Sequence, residues 1–145
     1  MITIGCQAHA ESRYAAMPYA QAKLEQNLKG LFALQEQGTH CVLLAQNSQE
    51  QIVGGLIGAI EEPFFTQIKC ASTILIWVDP KYRGTSAALK LLNAFKQWAQ
   101  RSGAQEVCIV VASGVSIAKT DRFLTRMGFR QTGGNYAMAL QESKA

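Results

Sequence analysis

The stretch ILIWVDPKYRGTSAALKLL, residues 74–92, says more about this chain than any other segment. It has the pattern of an apolar strand, a break at Pro80, a turn at Arg83-Gly84 and a helix that begins with small residues. The first amides of a helix lack partners inside the helix, and the helix dipole makes that end positive. Small side chains let a phosphate approach those amides, so the stretch predicts an anion-binding loop between a strand and a helix.

Strand-like and helix-like apolar patterns alternate on both sides of this stretch. Two strand-like runs separated by polar residues 47–50 predict a hairpin, and Gly54, Gly55 and Gly58 in its second run predict a bulge or a close backbone approach. The predicted strands are residues 2–4, 40–46, 51–60, 71–78 and 106–112; the predicted helices are residues 9–16, 20–37, 87–101 and 116–127; residues 129–131 and 136–140 form a final extended segment or hairpin.

Composition narrows the class of protein. The chain has 145 residues, of which 48% are hydrophobic and 17% are charged, which predicts one globular domain over residues 1–145. A net charge of +4 favours an anionic ligand, but no run of five Lys or Arg residues occurs, so no nucleic-acid partner is predicted. No apolar run reaches the roughly 18 residues of a membrane span, and the four cysteines lack metal-ligand spacing. We expect a cytoplasmic protein with no metal and no membrane contact.

The segment Arg83–Ala88, RGTSAA, resembles the pyrophosphate loop of the GNAT (GCN5-related N-acetyltransferase) superfamily. That loop has Arg or Gln, two residues, Gly, one residue, and then Gly or Ala; here Ser86 stands where the family usually has Gly. Gly128-Phe129 after a predicted helix, with Tyr136 seven residues later, is similar to the closing motif of the family. Other short matches, in HAES, EPFF and WA, are similar to compact GNAT proteins of phages and prophages.

The resemblance implies an α/β GNAT fold. Its mixed central sheet would have a splayed gap between the fourth and fifth predicted strands, residues 71–78 and 106–112, with helices on both faces. Acetyl-CoA would be the co-substrate and would lie in that gap, where the backbone of Ile76 and Val78 would bind pantetheine. Core packing is the preferred interpretation of the Trp77 side chain, and a solvated surface position is the alternative for Arg83. The implied cofactor-binding residues are Ile76, Trp77, Val78, Arg83, Gly84, Thr85, Ser86, Ala87 and Ala88.

The catalytic residues stay unknown at this stage. Many family members have a proton-donating Tyr four residues before the Gly-Phe pair, but this chain has Leu124 there, which cannot donate a proton. Candidates are Glu62, beside the acceptor site or in a solvated turn, Ser113, which would hold a water or pantetheine, and Tyr136, for which packing is the alternative. His9 and Glu11 would line the acceptor cleft or form an ordinary pair on a helix surface.

The favoured function is transfer of an acetyl group from acetyl-CoA to a primary amine, by direct attack in a ternary complex. The acceptor stays open between a small molecule, a peptide and a protein lysine, and a homodimer is also left open. The main alternative is an acyl-CoA-binding module with weak or no turnover, because the usual acid is absent. A third alternative is an interaction protein with an empty cleft.

Overall fold

The computed structural model describes residues 1–140, so residues 141–145 of the predicted single domain lie outside the described part. Most of the predicted elements are present, with boundaries shifted by one or two residues. The helices are α1 (Ile2–Glu11), α2 (Gln21–Glu36), α3 (Ala87–Arg101) and α4 (Ile117–Arg126), the strands are β1 (His40–Gln46), β2 (Ile52–Glu61), β3 (Cys70–Val78) and β4 (Glu106–Cys108), and a 3₁₀ turn covers Pro80–Tyr82.

The four strands form one mixed sheet in the order β1-β2-β3-β4. The first two pairings are antiparallel and the third, between β3 and β4, is parallel. The predicted hairpin between β1 and β2 is confirmed. Its turn is held by Asn47, whose Oδ1 accepts hydrogen bonds from the amides of Gln49 and Gln51 at 2.9 and 3.0 Å, as Asn side chains commonly do in turns.

Helices cover both faces of this sheet, as the resemblance implied. Successive strand residues face opposite sides of the sheet. Two adjacent glycines of β2 therefore show which helix packs on each face. A Cβ at Gly54 would lie 3.4 Å from Leu91 of α3, whereas a Cβ at Gly55 would lie 3.6 Å from Ile4 of α1. The core lies between the sheet and α3, where the Phe95 side chain is completely buried.

The predicted strand at residues 2–4 is wrong, because these residues form the first turn of α1. The alternating Ile2-Thr3-Ile4 pattern fits a strand, but packing on β2 decides against it. Met1 Sδ and Ile4 Cδ1 lie 3.3 and 3.6 Å from the position of a Cβ on Gly55. Residues three apart share one face of a helix, so the helix brings both side chains onto the sheet. The predicted helix at residues 9–16 is correct only as far as Glu11, where α1 ends.

The last predicted strands are also shorter than expected. The strand predicted at residues 106–112 keeps its ladder only over Glu106–Cys108, because the amide of Val110 donates instead to the side-chain Oγ1 of Thr73, at 2.9 Å. For residues 129–131 and 136–140, predicted as a final extended segment or a hairpin, the structure has no hairpin, since no strand forms there. Tyr136, Met138 and Leu140 are 84–98% exposed and Phe129 is half-buried, so little burial offsets the entropy cost of ordering two strands.

Within residues 1–140, no helix is both long enough and apolar enough to cross a membrane.

Candidate functional site

The loop between β3 and α3 is built by local hydrogen bonds. Asp79 Oδ1 accepts from the amide of Lys81 at 2.9 Å and caps the 3₁₀ turn that Pro80 begins. Gly84 then adopts a φ of +84°, a conformation that residues with a Cβ rarely take. The chain therefore leaves the sheet, reverses and enters α3 within a few residues, and this is why the sequence needs a glycine at position 84.

The start of α3 leaves amides without protein partners. The amide of Ala87 donates to Thr85 Oγ1 at 3.3 Å, but the amides of Ala88 and Leu89 form no hydrogen bond within residues 1–140. Apart from the two chain neighbours of Gly84, no atom of the described residues lies within 4 Å of the position that a Cβ on Gly84 would take. These amides, the open space beside them and the positive helix end suit a diphosphate group.

The Arg83 side chain is held by the end of β3 and by α1. Its Nε donates to the carbonyl of Val78 at 2.8 Å, and its Nη2 forms an ion pair with Glu11 Oε2 at 2.5 Å. The guanidinium carbon lies 5.9 Å from the centroid of the Trp77 ring. The same Glu11 oxygen accepts from Trp77 Nε1 at 3.2 Å. The predicted arginine thus fixes the end of β3, and its charge is already paired.

The edge of β3 that faces β4 becomes free of backbone pairing after its first three residues. The parallel ladder ends at Ser72↔Cys108, while β3 continues to Val78. A register shift beside this point leaves Ile74 without a partner on β2, and such a bulge bends its strand. Beyond the ladder, the bond from the Val110 amide to Thr73 Oγ1 joins the two sides. The backbone over residues 74–78 therefore has no strand partner on the β4 side, and only the Val78 carbonyl accepts a bond there, from Arg83, among the described residues.

The chain after α1 also reaches this region, which the sequence did not predict. The amide of Arg13 donates to the carbonyl of Ser113 at 3.0 Å, and its Nε donates to the carbonyl of Ala112 at 3.1 Å. Arg13 and Ala112 are 99 positions apart, so no local pattern could have paired them. The Arg13 guanidinium also stacks over the Tyr14 ring, with its carbon 4.3 Å from the centroid.

The three catalytic candidates do not form a cluster joined by hydrogen bonds. Glu62 is exposed just after β2, and Tyr136 is 98% exposed. Ser113 lies in the chain that follows β4, and its Oγ accepts from the amide of Val115 at 3.3 Å. Leu124 and Phe123, at the usual position of the family acid, pack against the core. Roles for these residues stay predictions.

The thiols near the sheet are poor nucleophiles. Burial and the neighbouring Glu106 carboxylate, which accepts a hydrogen bond from Cys108 at 3.3 Å, raise the pKa of the Cys108 thiol to about 11. Burial raises the pKa of Cys41 to about 11 as well. Both thiols are protonated at neutral pH, and the thiolate is the reactive form. Over the described residues, no three His, Cys, Asp or Glu side chains are grouped to hold a metal ion.

Comparisons with known proteins agree with this geometry. The sequence model of the acetyltransferase (GNAT) family matches residues 7–129. No curated protein sequence matches the chain significantly. Among solved structures, glucosamine-6-phosphate N-acetyltransferase from Arabidopsis thaliana superposes with a TM-score of 0.69 at 12% identity, over 97% of this chain and 95% of that one. The aminoglycoside acetyltransferase AAC(6')-Ih from Acinetobacter baumannii gives 0.67 at 20% identity, over 94% and 89%.

A third solved structure, AAC(6')-Iy in complex with the bisubstrate analogue CoA-S-monomethyl-acetylneamine, has a TM-score of 0.70 at 13% identity. The superposition covers 93% of this chain and 90% of that chain. At such identities these likenesses concern the fold, and the family match rests on the sequence.

Proposed function

The chain belongs to the acetyltransferase (GNAT) family, and from that premise we propose that it transfers an acetyl group from acetyl-CoA to a primary amine. The observation that carries the proposal is the pair of unpartnered amides, Ala88 and Leu89, at the start of α3. An anion fits there because those amides and the helix dipole attract negative charge. Acetyl-CoA supplies the activated acetyl group when it is bound.

Each part of the loop has a distinct role in this proposal. The diphosphate is bound by the backbone from Gly84 to Ala88, with Thr85, Ser86 and Ala87 between them, because small side chains leave the amides accessible. The open edge of β3 at Ile76 and Val78 binds the pantetheine arm as an added strand would. Trp77 packs beneath that edge, where its side chain is 7% exposed. Arg83 shapes the corner between strand and loop instead of neutralising the diphosphate directly.

The acceptor in this proposal is a primary amine in its neutral form, since only an unprotonated amine is a nucleophile. Two of the similar structures are named for glucosamine 6-phosphate and for aminoglycosides, so amino sugars come first among the amines to try. A peptide or protein lysine stays open. Ser113, which follows β4, is the candidate for holding a water that removes the proton.

A second candidate function is acyl-CoA binding without efficient turnover. It is favoured by the position of Leu124, which packs against the core where the family often has its acid. Losing a positioned acid typically costs about 10²–10⁴ in rate. Binding and turnover must therefore be measured separately.

The test of the proposed function compares two glutamates placed on the same helix. Ala88→Glu puts a negative charge beside the unpartnered amides, at a helix start that favours acidic residues. Because Ala88 is half-buried against the core, thermal unfolding of the ligand-free variant checks that it is folded. We expect the substitution to weaken acetyl-CoA binding by at least about 100-fold, since like charges in contact cost several kcal/mol. The matched control is Asn93→Glu, exposed farther along α3. Calorimetric titration with acetyl-CoA measures both.

Turnover is then measured by mass spectrometry of an aminoglycoside, glucosamine 6-phosphate and a lysine peptide, each incubated with acetyl-CoA. Acetylation of any of them by wild type but not by Ala88→Glu supports the enzyme. Binding without acetylation supports the second candidate. If wild type fails to bind acetyl-CoA, or if folded Ala88→Glu binds it as tightly as wild type does, the proposed diphosphate-binding loop is wrong.

A further inference from the structure

The short segment of residues 11–14, at the end of α1, contacts both sides of the open strand edge. On the β3 side, one carboxylate oxygen of Glu11 accepts hydrogen bonds from Trp77 Nε1 and from Arg83 Nη2. Arg83 in turn donates to the carbonyl of Val78. Charge-assisted bonds are about twice as strong as neutral ones, and the Glu11 side chain is only 28% exposed. Glu11 thus binds the end of β3 and the loop that follows it.

Two residues later, the same segment binds the other side. Arg13 donates from its amide to Ser113 and from its Nε to Ala112. Both acceptors are backbone carbonyls of the chain that leaves β4, where the parallel ladder has already ended. The backbone also approaches closely there, since a Cβ on Gly114 would lie 3.8 Å from the Cβ of Arg13.

We propose that residues 11–14 are a brace that sets the width of the gap between β3 and the chain after β4. At the closed end of the gap, Thr73 joins the two sides through Val110. At the open end, Glu11 and Arg13 replace the backbone ladder that is absent there. The proposal rests on the proposed function for its purpose: the pantetheine arm and thioester occupy this gap, so its width decides where the acetyl group lies. Glu11 and Arg13 are positioning residues and touch neither substrate.

The first test weakens one end of the brace by a substitution and measures hydrogen exchange at the opposite end. The exchange rates are measured by NMR on the ligand-free protein. Glu11→Gln keeps the shape but removes the ion pair, and we expect the Val110 amide to exchange at least about threefold faster. Arg13→Ala weakens the other end, because it removes the Nε bond to Ala112 while the backbone bond to Ser113 stays, and we expect the Trp77 indole N–H to exchange faster by a similar factor. The Trp98 indole, which stacks on Phe95, should not change.

The matched control is Glu36→Gln, which removes the same charge from the exposed last residue of α2. It should leave both exchange rates within twofold of wild type. If Glu11→Gln and Arg13→Ala alter exchange only at their own contacts, the two residues act locally and the brace is disproved. Exchange data decide this without acetyl-CoA, so failure of the proposed function would be recognised separately, by the absence of acetyl-CoA binding to wild type.

A second readout applies to the enzyme with its acceptor. Either single substitution should lower kcat about tenfold, because small misplacements of reacting groups are costly, while KM for acetyl-CoA stays within twofold. The brace sets the width only when both ends hold, so the double variant should be no slower than about the slower single variant. If the decreases in kcat of the two single variants multiply in the double variant, or if only KM for acetyl-CoA changes, the brace is contradicted. Melting temperatures identify any loss through unfolding.

Discussion

Gly58 determines how closely α3 packs on the sheet. A Cβ at this position would lie 2.2 Å from Cε2 of Phe95, a distance that no real contact allows. Phe95 is completely buried, so its ring has no open space to move into. The glycine is therefore required by packing. Glycine loses more chain entropy on folding than other residues, but here it allows the helix and the strand to approach closely.

Gly58→Ala should lower the free energy of unfolding by about 1–3 kcal/mol, the usual cost of overpacking a core. Gly30→Ala is the matched control, because a Cβ there meets nothing within 4 Å. Gly30 lies inside α2, where alanine should add about 0.5–1 kcal/mol. Urea unfolding of both variants measures these opposite signs. Equal effects of the two substitutions would mean that Phe95 can repack.

At the scale of the element, α3 has a glycine beyond each end, and both have positive φ. Gly84 precedes the helix at φ +84°, and Gly103 follows it at φ +80°. A Cβ at either position would meet no atom within 4 Å. The two sites therefore impose the same conformational demand, but only Gly84 belongs to the proposed diphosphate loop.

Gly84→Ala and Gly103→Ala should each cost about 1–2 kcal/mol of stability, because the left-handed region is strained for residues with a Cβ. Only Gly84→Ala should also weaken acetyl-CoA binding, by about tenfold or more, since relaxing the strain moves the loop amides. Thermal unfolding and calorimetric titration separate the two effects. Equal affinity in both variants would show that the conformation at Gly84 does not shape the site.

At the scale of the whole molecule, burial of ionisable groups makes stability depend on pH. Cys41 is 3% exposed, and burial raises the pKa of its thiol from 9.0 to about 11, an effect that a backbone hydrogen bond from Gly58 partly opposes. Between these two values the unfolded chain ionises the thiol while the folded chain keeps it protonated. The unfolded state then binds fewer protons, so stability falls as pH rises through this range.

We expect the free energy of unfolding to fall by up to about 2 kcal/mol more in wild type than in Cys41→Ala, between about pH 8.5 and about pH 10.5. The variant loses some stability at every pH because it leaves a small cavity, so the comparison is between slopes. Urea unfolding at several pH values gives both slopes. Parallel slopes would mean that the Cys41 thiol ionises alike in both states.

The local sequence was sufficient for elements whose signals lie within a few residues. The apolar face of α3, the glycines at its ends and the polar turn at Asn47 predicted that helix, its boundaries and the β1–β2 hairpin. The loop of small residues likewise predicted unpartnered helix-start amides, because helix geometry alone creates them. Family membership followed from the same motifs, which lie within the matched residues 7–129.

Contacts between distant residues were decided only by the tertiary structure. Residues 2–4 became helical because Ile4 packs on Gly55, and the strand at 106–112 ended early because Val110 binds the Thr73 side chain. The partner of Arg83, Glu11, lies 72 positions away, whereas the contact of Arg83 with a phosphate stays a prediction. No periodicity records such pairs, since each depends on how whole elements pack, and packing selects among local conformations of similar energy.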